Sequence, residues 1–183
     1  MGPKVKLALT PLSSLVVNRY FIPAHNLFPN TSIQNKPLLH YRHVFPRDTS
    51  SSKMESHLKA IRAVFPKSRW TMLPRTFFHA TSHKVLCVSN GRARLLFGGD
   101  DNPGGVKVTA VKGDVLIVPA GVAQRMDKDL DAGFLMVIAF SRGYKDEKCY
   151  GVEGEEEKVR GIENVPWFKK DPIYGAEGPA LEV

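Results

Sequence analysis

Short apolar runs separated by turn residues dominate the chain between residues 70 and 140. Turn signals built from Gly, Asn, Asp and Pro recur about every six to twelve residues, a spacing typical of all-β sandwiches and barrels. Two earlier segments, 12–22 and 38–45, also predict strands, because each is largely apolar and stops at a proline. Within the β-rich region the pattern predicts strands at 84–89, 92–97, 106–111, 115–118 and 134–140.

One stretch of helical periodicity precedes the β-rich region. Ser52 and Glu55 have the spacing of a capping box, in which the two residues satisfy each other's unpaired backbone N–H groups. The pattern therefore predicts an amphipathic helix over 52–65 that ends before Pro66 and packs on the outside of a sheet. The apolar positions that define its buried face are Met54, Leu58, Ile61, Val64 and Phe65.

The chain has 183 residues, which is long enough for one domain with a sizeable core, and it shows no internal repeat. We expect a single domain with an N-terminal strand and loop over 1–37, a barrel over 38–140, and a C-terminal region over 141–183. The stretch 144–163 is strongly charged and predicts an exposed loop or a short helix. The tail that follows is too aromatic for a disordered end, so it should dock on the barrel.

Composition places the chain among ordinary globular proteins, with 43% hydrophobic and 24% charged residues. No run approaches the roughly 20 apolar residues of a membrane span, and no long apolar segment of a signal peptide follows Met1. Cys87 and Cys149 do not make a disulfide framework. These features predict a cytoplasmic protein with no membrane partner.

Charge is distributed unevenly along the chain. Residues 1–75 hold 12 Lys and Arg against two acids, a net charge of +10, whereas residues 76–183 hold 14 against 16, a net charge of −2. A basic half can steer an anionic small molecule, dock on the acidic half of a second copy in a homodimer, or remain a solvated face. We expect no nucleic-acid partner, because the basic residues are scattered and no nucleic-acid-binding motif accompanies them.

Two glycine-anchored segments resemble the paired motifs of the cupin superfamily. The first begins at Phe77-Phe78-His79 and runs through His83-Lys84 to Gly91; the second is Gly113, then Pro119-Ala120-Gly121, then Gln124. In that family the first motif supplies His-x-His and a Glu, the second supplies a His, and the four side chains hold a divalent metal. The residues in those slots here are Phe77, His79, Lys84 and Gln124, so one usual ligand in four is kept.

The resemblance extends from about residue 15 to residue 180, over which the chain resembles the YjlB-like subgroup of single-domain cupins. It implies an all-β fold, a cupin (jelly-roll) β-barrel with one or two short peripheral helices. Cupins of this size often pair through edge strands, so a homodimer is also an expectation. The further segments that carry the resemblance are Val85-Leu86-Cys87-Val88, Gly98-Gly99, Gly113-Asp114-Val115 and Asp171-Pro172-Ile173-Tyr174-Gly175.

The altered slots predict a cavity without the usual metal. Residues 75, 77 and 79 share one face of an extended segment, so Arg75 and Phe77 should enter the barrel with His79. The family register brings Lys84 and Gln124 to the same place. Phe is no ligand, and a cationic Lys or an amide is a poor one for a first-row metal, so we expect no metal and no cofactor. A non-standard set of His79, His83 and either His40 or His43 remains an alternative.

The candidate catalytic residues are His79 and Lys84. An imidazole exchanges protons near neutral pH, and a buried amine loses its charge and becomes a general base or a Schiff-base nucleophile. A Lys that stays charged would instead clamp a substrate anion beside Arg75, and Gln124 would orient a carbonyl. The residues expected to bind substrate or line the cavity are Arg75, Phe77, Gln124, Tyr41, His43, Trp70 and Met126.

These features favour a metal-independent small-molecule enzyme that works by proton transfer: isomerisation, cyclisation, dehydration or decarboxylation. The substrate would be an apolar, oxygenated metabolite with an anionic or carbonyl group, as in specialised metabolite biosynthesis. Two alternatives stay open. One is a non-catalytic small-molecule-binding cupin, and the other is a metal-dependent dioxygenase with unusual ligands.

Overall fold

The computed structural model describes residues 6–183. Within this range the chain forms nine β-strands, two short α-helices and three single 3₁₀ turns. The strands are β1 (Val16–Tyr20), β2 (Leu38–Arg42), β3 (Phe65–Trp70), β4 (Lys84–Asn90), β5 (Arg92–Phe97), β6 (Val106–Val111), β7 (Val115–Val118), β8 (Gln124–Asp129) and β9 (Leu135–Phe140). The helices are α1 (Ser51–Ile61) and α2 (Glu156–Gly161).

The strands form two antiparallel sheets that pack face to face. One has six strands in the order β1-β2-β7-β4-β9-β3, and the other has three in the order β6-β5-β8. Strands distant in sequence are neighbours, as where β4 pairs with both β7 and β9. This crossing connectivity, with only short helices outside, confirms the predicted all-β jelly-roll fold class.

Side-chain alternation along the central strands separates the interior of the barrel from an outer layer. On β4, Leu86 and Val88 face the core between the two sheets, whereas Val85 and Cys87 face the other way. Lys84 has the same parity as Leu86 and is buried. The strand register thus directs the Lys84 side chain into the barrel.

The outer face of the six-stranded sheet is covered by α1 and by the C-terminal tail. Met54 and Leu58 of α1 pack on this face beside Phe168 and Ile173 of the tail. Asp171, which is fully buried, fastens the tail. Its carboxylate accepts hydrogen bonds from the Tyr41 hydroxyl at 2.6 Å and from the backbone N–H groups of residues 173, 174 and 180.

The first helix differs from its prediction at both ends. Its N-cap is Ser50, whose hydroxyl accepts from the Lys53 N–H at 3.3 Å, while Glu55 pairs instead with Arg69 of β3. The helix ends at Ile61 rather than at residue 65. A capping box between Ser52 and Glu55 is therefore wrong, because a guanidinium across the surface binds the carboxylate more strongly than a backbone N–H.

Two strands were not predicted from the sequence, β3 and β8. β3 contains Pro66, which is tolerated because β3 lies at the edge of its sheet. β8 is mostly polar and pairs with β5 through its backbone, so it lacks the apolar signal of a strand. In residues 6–183 no helix combines the length and the apolar character that crossing a membrane requires.

Candidate functional site

A cavity of about 300 Å³ lies in the barrel, against β3, β4 and β9. Phe77, His79 and Lys84, three residues predicted to share a site, all line it, and Trp70 lies at its mouth with 61% of its surface exposed. The other lining residues are Lys67, Ser68, Thr71, Met72, Leu73, Ile138, Phe140, Tyr144, Asp146 and Lys148. This volume is at the small end of the range for metabolite sites.

Lys84 is the unusual group of this cavity, because its amine is buried without a carboxylate partner. Only 5% of the residue is exposed, and Nζ donates a hydrogen bond of 2.9 Å to Oε1 of Gln124. Nζ also lies over the rings of Phe77 and Phe140, 5.0 and 5.9 Å from their centroids. Among the described residues, Lys84 forms no ion pair.

Burial first, and the positive charge of Lys148 second, lower the pKa of Lys84 from 10.5 to about 7. The aromatic faces favour the protonated amine and oppose this shift, but a cation–π contact is worth only about 1–2 kcal/mol. Desolvation is the larger effect. A substantial fraction of Lys84 is therefore a neutral amine at neutral pH.

Gln124 is the first residue of β8, and backbone hydrogen bonds to Phe77 fix its position. Its N–H donates to Phe77 O at 2.9 Å, and its carbonyl accepts from the Phe77 N–H at 3.1 Å. Its side-chain Nε2 donates to Val122 O at 3.4 Å, which turns Oε1 towards Lys84. An amide in this slot gives Lys84 a partner with no charge, so nothing restores the ordinary pKa of the amine.

His79 is enclosed by aromatic rings and is neutral. It makes edge-to-face contacts with Phe77, Phe140 and Tyr144, with ring centroids 5.0 to 5.9 Å away. Nδ1 lies 3.1 Å from Glu147 O, and because a carbonyl only accepts, Nδ1 carries the proton. Burial first, and the Lys84 charge second, lower the pKa of His79 from 6.5 to about 3. The Nε2 lone pair is then the acceptor that this imidazole offers a bound molecule.

Five residues predicted to bind substrate do not line the cavity: Gln124, which contacts Lys84, and Arg75, Met126, Tyr41 and His43, which lie outside it. Arg75 is exposed, with its guanidinium 4.1 Å from the centroid of the Tyr150 ring, because the chain bends at residues 74–75 and breaks the alternation assumed between positions 75 and 77. Met126 packs against the core beside Thr71 and is not part of the cavity wall.

Tyr41 and His43 do not share a strand face that lines the site. Tyr41 points to the outer layer, where its hydroxyl donates to Asp171. The strand ends at residue 42, and His43 has a positive φ of 52° that turns its side chain outward, 68% exposed, towards a separate surface depression. Parity within a strand reveals which residues share a face, but not which of the two faces is the interior.

The donor set of the cavity does not fit a first-row metal. Phe77 has no donor atom, and Lys84 and Gln124 are hydrogen-bonded to each other. The alternative ligand set of His79, His83 and His40 or His43 is wrong, because these side chains do not come together. His83 accepts from the Ala120 N–H and packs on Trp167, and His40 binds Asp114 at 2.8 Å. In residues 6–183 no group of three His, Cys, Asp or Glu is placed to hold a metal.

The cavity residues that the sequence missed include Phe140, Tyr144, Lys67 and Lys148. Phe140 stacks on Tyr144 with ring centroids 3.8 Å apart and forms one wall. Its position was available from the parity of β9, where positions 136, 138 and 140 face inward. Lys67 and Lys148 stand on exposed segments, and nothing in the sequence places them at the same mouth.

The buried histidines should make the fold sensitive to acid. Burial lowers the pKa of His79 to about 3 and that of His83 to about 4, against 6.5 for both when unfolded. The unfolded chain therefore binds more protons below pH 6.5, and stability falls as pH falls from there towards 4. Urea unfolding of His79→Gln and His83→Gln should show a shallower loss over this range than the unsubstituted protein. An unchanged pH profile in both variants would contradict the neutral, buried state of these rings.

No family model matches the chain. The chain is 26% identical over 168 residues to the uncharacterized protein YjlB of Bacillus subtilis (strain 168), and the match covers 90% of this chain and 94% of that protein. Among solved structures it is similar to a mutant of the 3,4-ketoisomerase QdtA from Thermoanaerobacterium thermosaccharolyticum, with a TM-score of 0.40, 12% identity, and coverage of 84% and 97% of the two chains. It is also similar to RmlC from Streptococcus suis, with a TM-score of 0.36, 14% identity, and coverage of 88% and 91%. These values are too low to assign a reaction to this chain.

Proposed function

We propose that this protein is a metal-independent enzyme that transfers protons on a small metabolite in the cavity of Lys84 and His79. The reaction class is isomerisation, cyclisation, dehydration or decarboxylation, and the metabolite carries an anionic or carbonyl group. One observation carries the proposal: a buried lysine amine whose hydrogen-bond partner is an amide, in a cavity with aromatic walls. A lysine that only stabilised the fold would be paired with a carboxylate or would reach the surface.

The cavity separates a basic group from water and offers a second group to relay the proton. Lys84, with a pKa of about 7, accepts a proton at neutral pH, where a base of ordinary lysine pKa would already be charged. His79, neutral with Nδ1 bonded to Glu147 O, presents Nε2 as a further acceptor. Phe77 and Phe140 exclude water from the amine and strengthen every electrostatic contact inside.

The mouth of the cavity is basic, which favours an anionic substrate. Lys67 and Lys148 stand there, and Asp146 is the acid that lines the same cavity, so the charge of the mouth groups is +1. Asp146 is also hydrogen-bonded to the Tyr144 hydroxyl at 2.9 Å, which holds it at the edge of the aromatic wall. A carboxylate approaching the cavity therefore meets a favourable field before it reaches Lys84.

Solvent hydrogen exchange tests this function without knowledge of the product. A panel of carboxylated and phenolic metabolites is first screened by thermal stabilisation, and the ligands found are then incubated with the protein in D₂O. We expect NMR to show deuterium entering a carbon-bound position of the ligand, with a rate that rises through about pH 7 as Lys84 loses its proton.

Lys84→Met should abolish this exchange, whereas Lys107→Met, an exposed lysine on the opposite sheet, should leave it unchanged. His79→Ala should slow exchange roughly tenfold to 100-fold, because a relay group is lost while the base remains. Ligands that bind in the cavity without any catalysed exchange would contradict the enzyme function and favour a non-catalytic binding protein.

A further inference from the structure

The environment of the Lys84 amine suits a nucleophile as well as a base. We propose that Lys84 forms a covalent imine with the carbonyl of a small keto acid, an inference that rests on the proposed proton-transfer function and names its substrate class. Imine formation needs an amine that is unprotonated, reachable from a cavity, and held by a group that does not take its lone pair. The first two conditions follow from the burial of Lys84 and its place in the cavity wall.

The contact with Gln124 meets the third condition. Oε1 is an acceptor, so the 2.9 Å bond uses an N–H of Lys84 and leaves the nitrogen lone pair for an electrophile. The rings of Phe77 and Phe140 flank the same nitrogen and limit its rotation. By contrast, the amine of Lys158 on α2 is paired with the Glu147 carboxylate, which keeps it charged and unreactive.

The charges around the cavity select the rest of the substrate. Lys148 lines the same cavity, and its positive charge lowers the pKa of both Lys84 and His79. A ligand carboxylate bound to Lys148, with Lys67 beside it, would direct its other end inward towards Lys84. The cavity volume of about 300 Å³ favours a small ligand. A keto acid meets each of these requirements.

The covalent step begins at the Lys84 amine. The Lys84 nitrogen attacks the carbonyl carbon, and the π electrons of the carbonyl move to its oxygen. A proton passes from the nitrogen through His79 Nε2 to that oxygen, and the carbinolamine loses one water molecule to give the imine. The imine nitrogen then takes up one proton from solvent and accepts the electron pair of a neighbouring C–H bond, whose proton passes to His79 Nε2, or of a C–carboxylate bond, which leaves as CO₂. The resulting enamine is protonated at carbon, and hydrolysis of the iminium consumes one water molecule, returns one proton to solvent and restores the amine.

Acetylacetone tests the covalent step, because the imine of a β-diketone rearranges to a stable enaminone with strong near-ultraviolet absorbance. We expect intact-mass analysis to show one diketone added and one water lost, and peptide mapping to place the adduct on Lys84. Lys84→Met should give no adduct at this site, while Lys107→Met, the exposed control, should react like the unsubstituted protein.

Two further variants report on the environment rather than on the nucleophile itself. Gln124→Glu places a carboxylate where Oε1 now contacts Nζ, so the amine should stay charged and adduct formation at pH 7 should fall by at least tenfold and return at higher pH. Lys148→Met removes the second cause of the low pKa, so the pH midpoint of the reaction should rise. Acetopyruvate, which adds a carboxylate to the same diketone, should react faster than acetylacetone, and Lys148→Met should remove that preference.

The absence of an adduct at pH 9 with saturating diketone would overturn the imine, because the amine is fully neutral there. If hydrogen exchange by the same protein persisted, the proton-transfer function would stand with Lys84 as base only. If exchange were also absent, the proposed function itself would fail. An adduct that formed equally in Lys84→Met would show that the chemistry belongs to another lysine and would likewise overturn the proposal.

Discussion

Replacing Lys84 by methionine should lower turnover of the true substrate by roughly 10²–10⁴ and should at the same time stabilise the protein near pH 6. The loss of turnover follows from removal of the basic amine. The gain in stability follows from the cost of keeping a charged amine in the barrel, which the unfolded chain does not bear.

The pH dependence of this gain gives the sharper test. Burial lowers the pKa of Lys84 from 10.5 in the unfolded chain to about 7 in the folded protein. Between these values the unfolded chain binds one more proton, so the unsubstituted protein gains stability as pH rises, by about 1.4 kcal/mol per pH unit and roughly 5 kcal/mol in all. Lys84→Met lacks this contribution. The stability difference between the two proteins should therefore be largest below pH 7 and decline towards pH 10.

Methionine leaves Gln124 Oε1 without its donor, which costs about 1–3 kcal/mol and reduces the gain at every pH alike. The double variant Lys84→Met/Gln124→Leu removes both groups and should recover most of that cost. Urea unfolding across the pH range measures all three proteins. A difference between Lys84→Met and the unsubstituted protein that did not change with pH would show that Lys84 keeps an ordinary pKa, and the site would lose its basic group.

Asp171→Ala should destabilise the fold by roughly 3–5 kcal/mol, a large effect for a residue outside the cavity. The Asp171 carboxylate is fully buried and accepts four hydrogen bonds, one from the Tyr41 hydroxyl and three from backbone N–H groups of the tail. Alanine leaves all four donors unpaired in the outer layer. Because Tyr41 belongs to β2, the change also detaches the tail from the sheet that it covers.

Matched substitutions separate the effect of losing this buried carboxylate from the effect of removing any acidic side chain. Asp131→Ala removes a carboxylate that pairs with Arg92 on the surface and should cost less than about 1 kcal/mol. Tyr41→Phe removes one of the four donors and should cost about 1–2 kcal/mol without affecting ligand binding in the cavity. Urea unfolding measures the three variants. Equal costs for Asp171→Ala and Asp131→Ala would refute the role assigned to the buried carboxylate.

The resemblance of the paired motifs identified Phe77, His79, Lys84 and Gln124 as one group, and the structure brings the four together around Lys84 Nζ. That outcome depends on spacing within a β-rich region, because a strand register fixes the face of each residue once one member is placed. Arg75 was predicted to enter the cavity because the alternation of a strand was assumed to continue back to residue 75. The prediction was wrong because the chain bends at residues 74–75. The prediction for Tyr41 was wrong for a different reason. Its strand was predicted correctly, but the Tyr41 side chain lies on the outer face of the sheet.

The sequence by itself determined the β-rich character of the chain, most strand positions, and the replacement of the usual metal ligands, because these depend on residue type and short-range spacing. Only the tertiary structure decided that Lys84 meets an amide rather than an acid, that Lys67 and Lys148 reach one mouth, and that Asp171 binds Tyr41. Each of these contacts joins segments far apart in the chain. The pKa of Lys84 depends on desolvation and on charges from such segments, and therefore on the folded arrangement rather than on the residues beside it in the sequence.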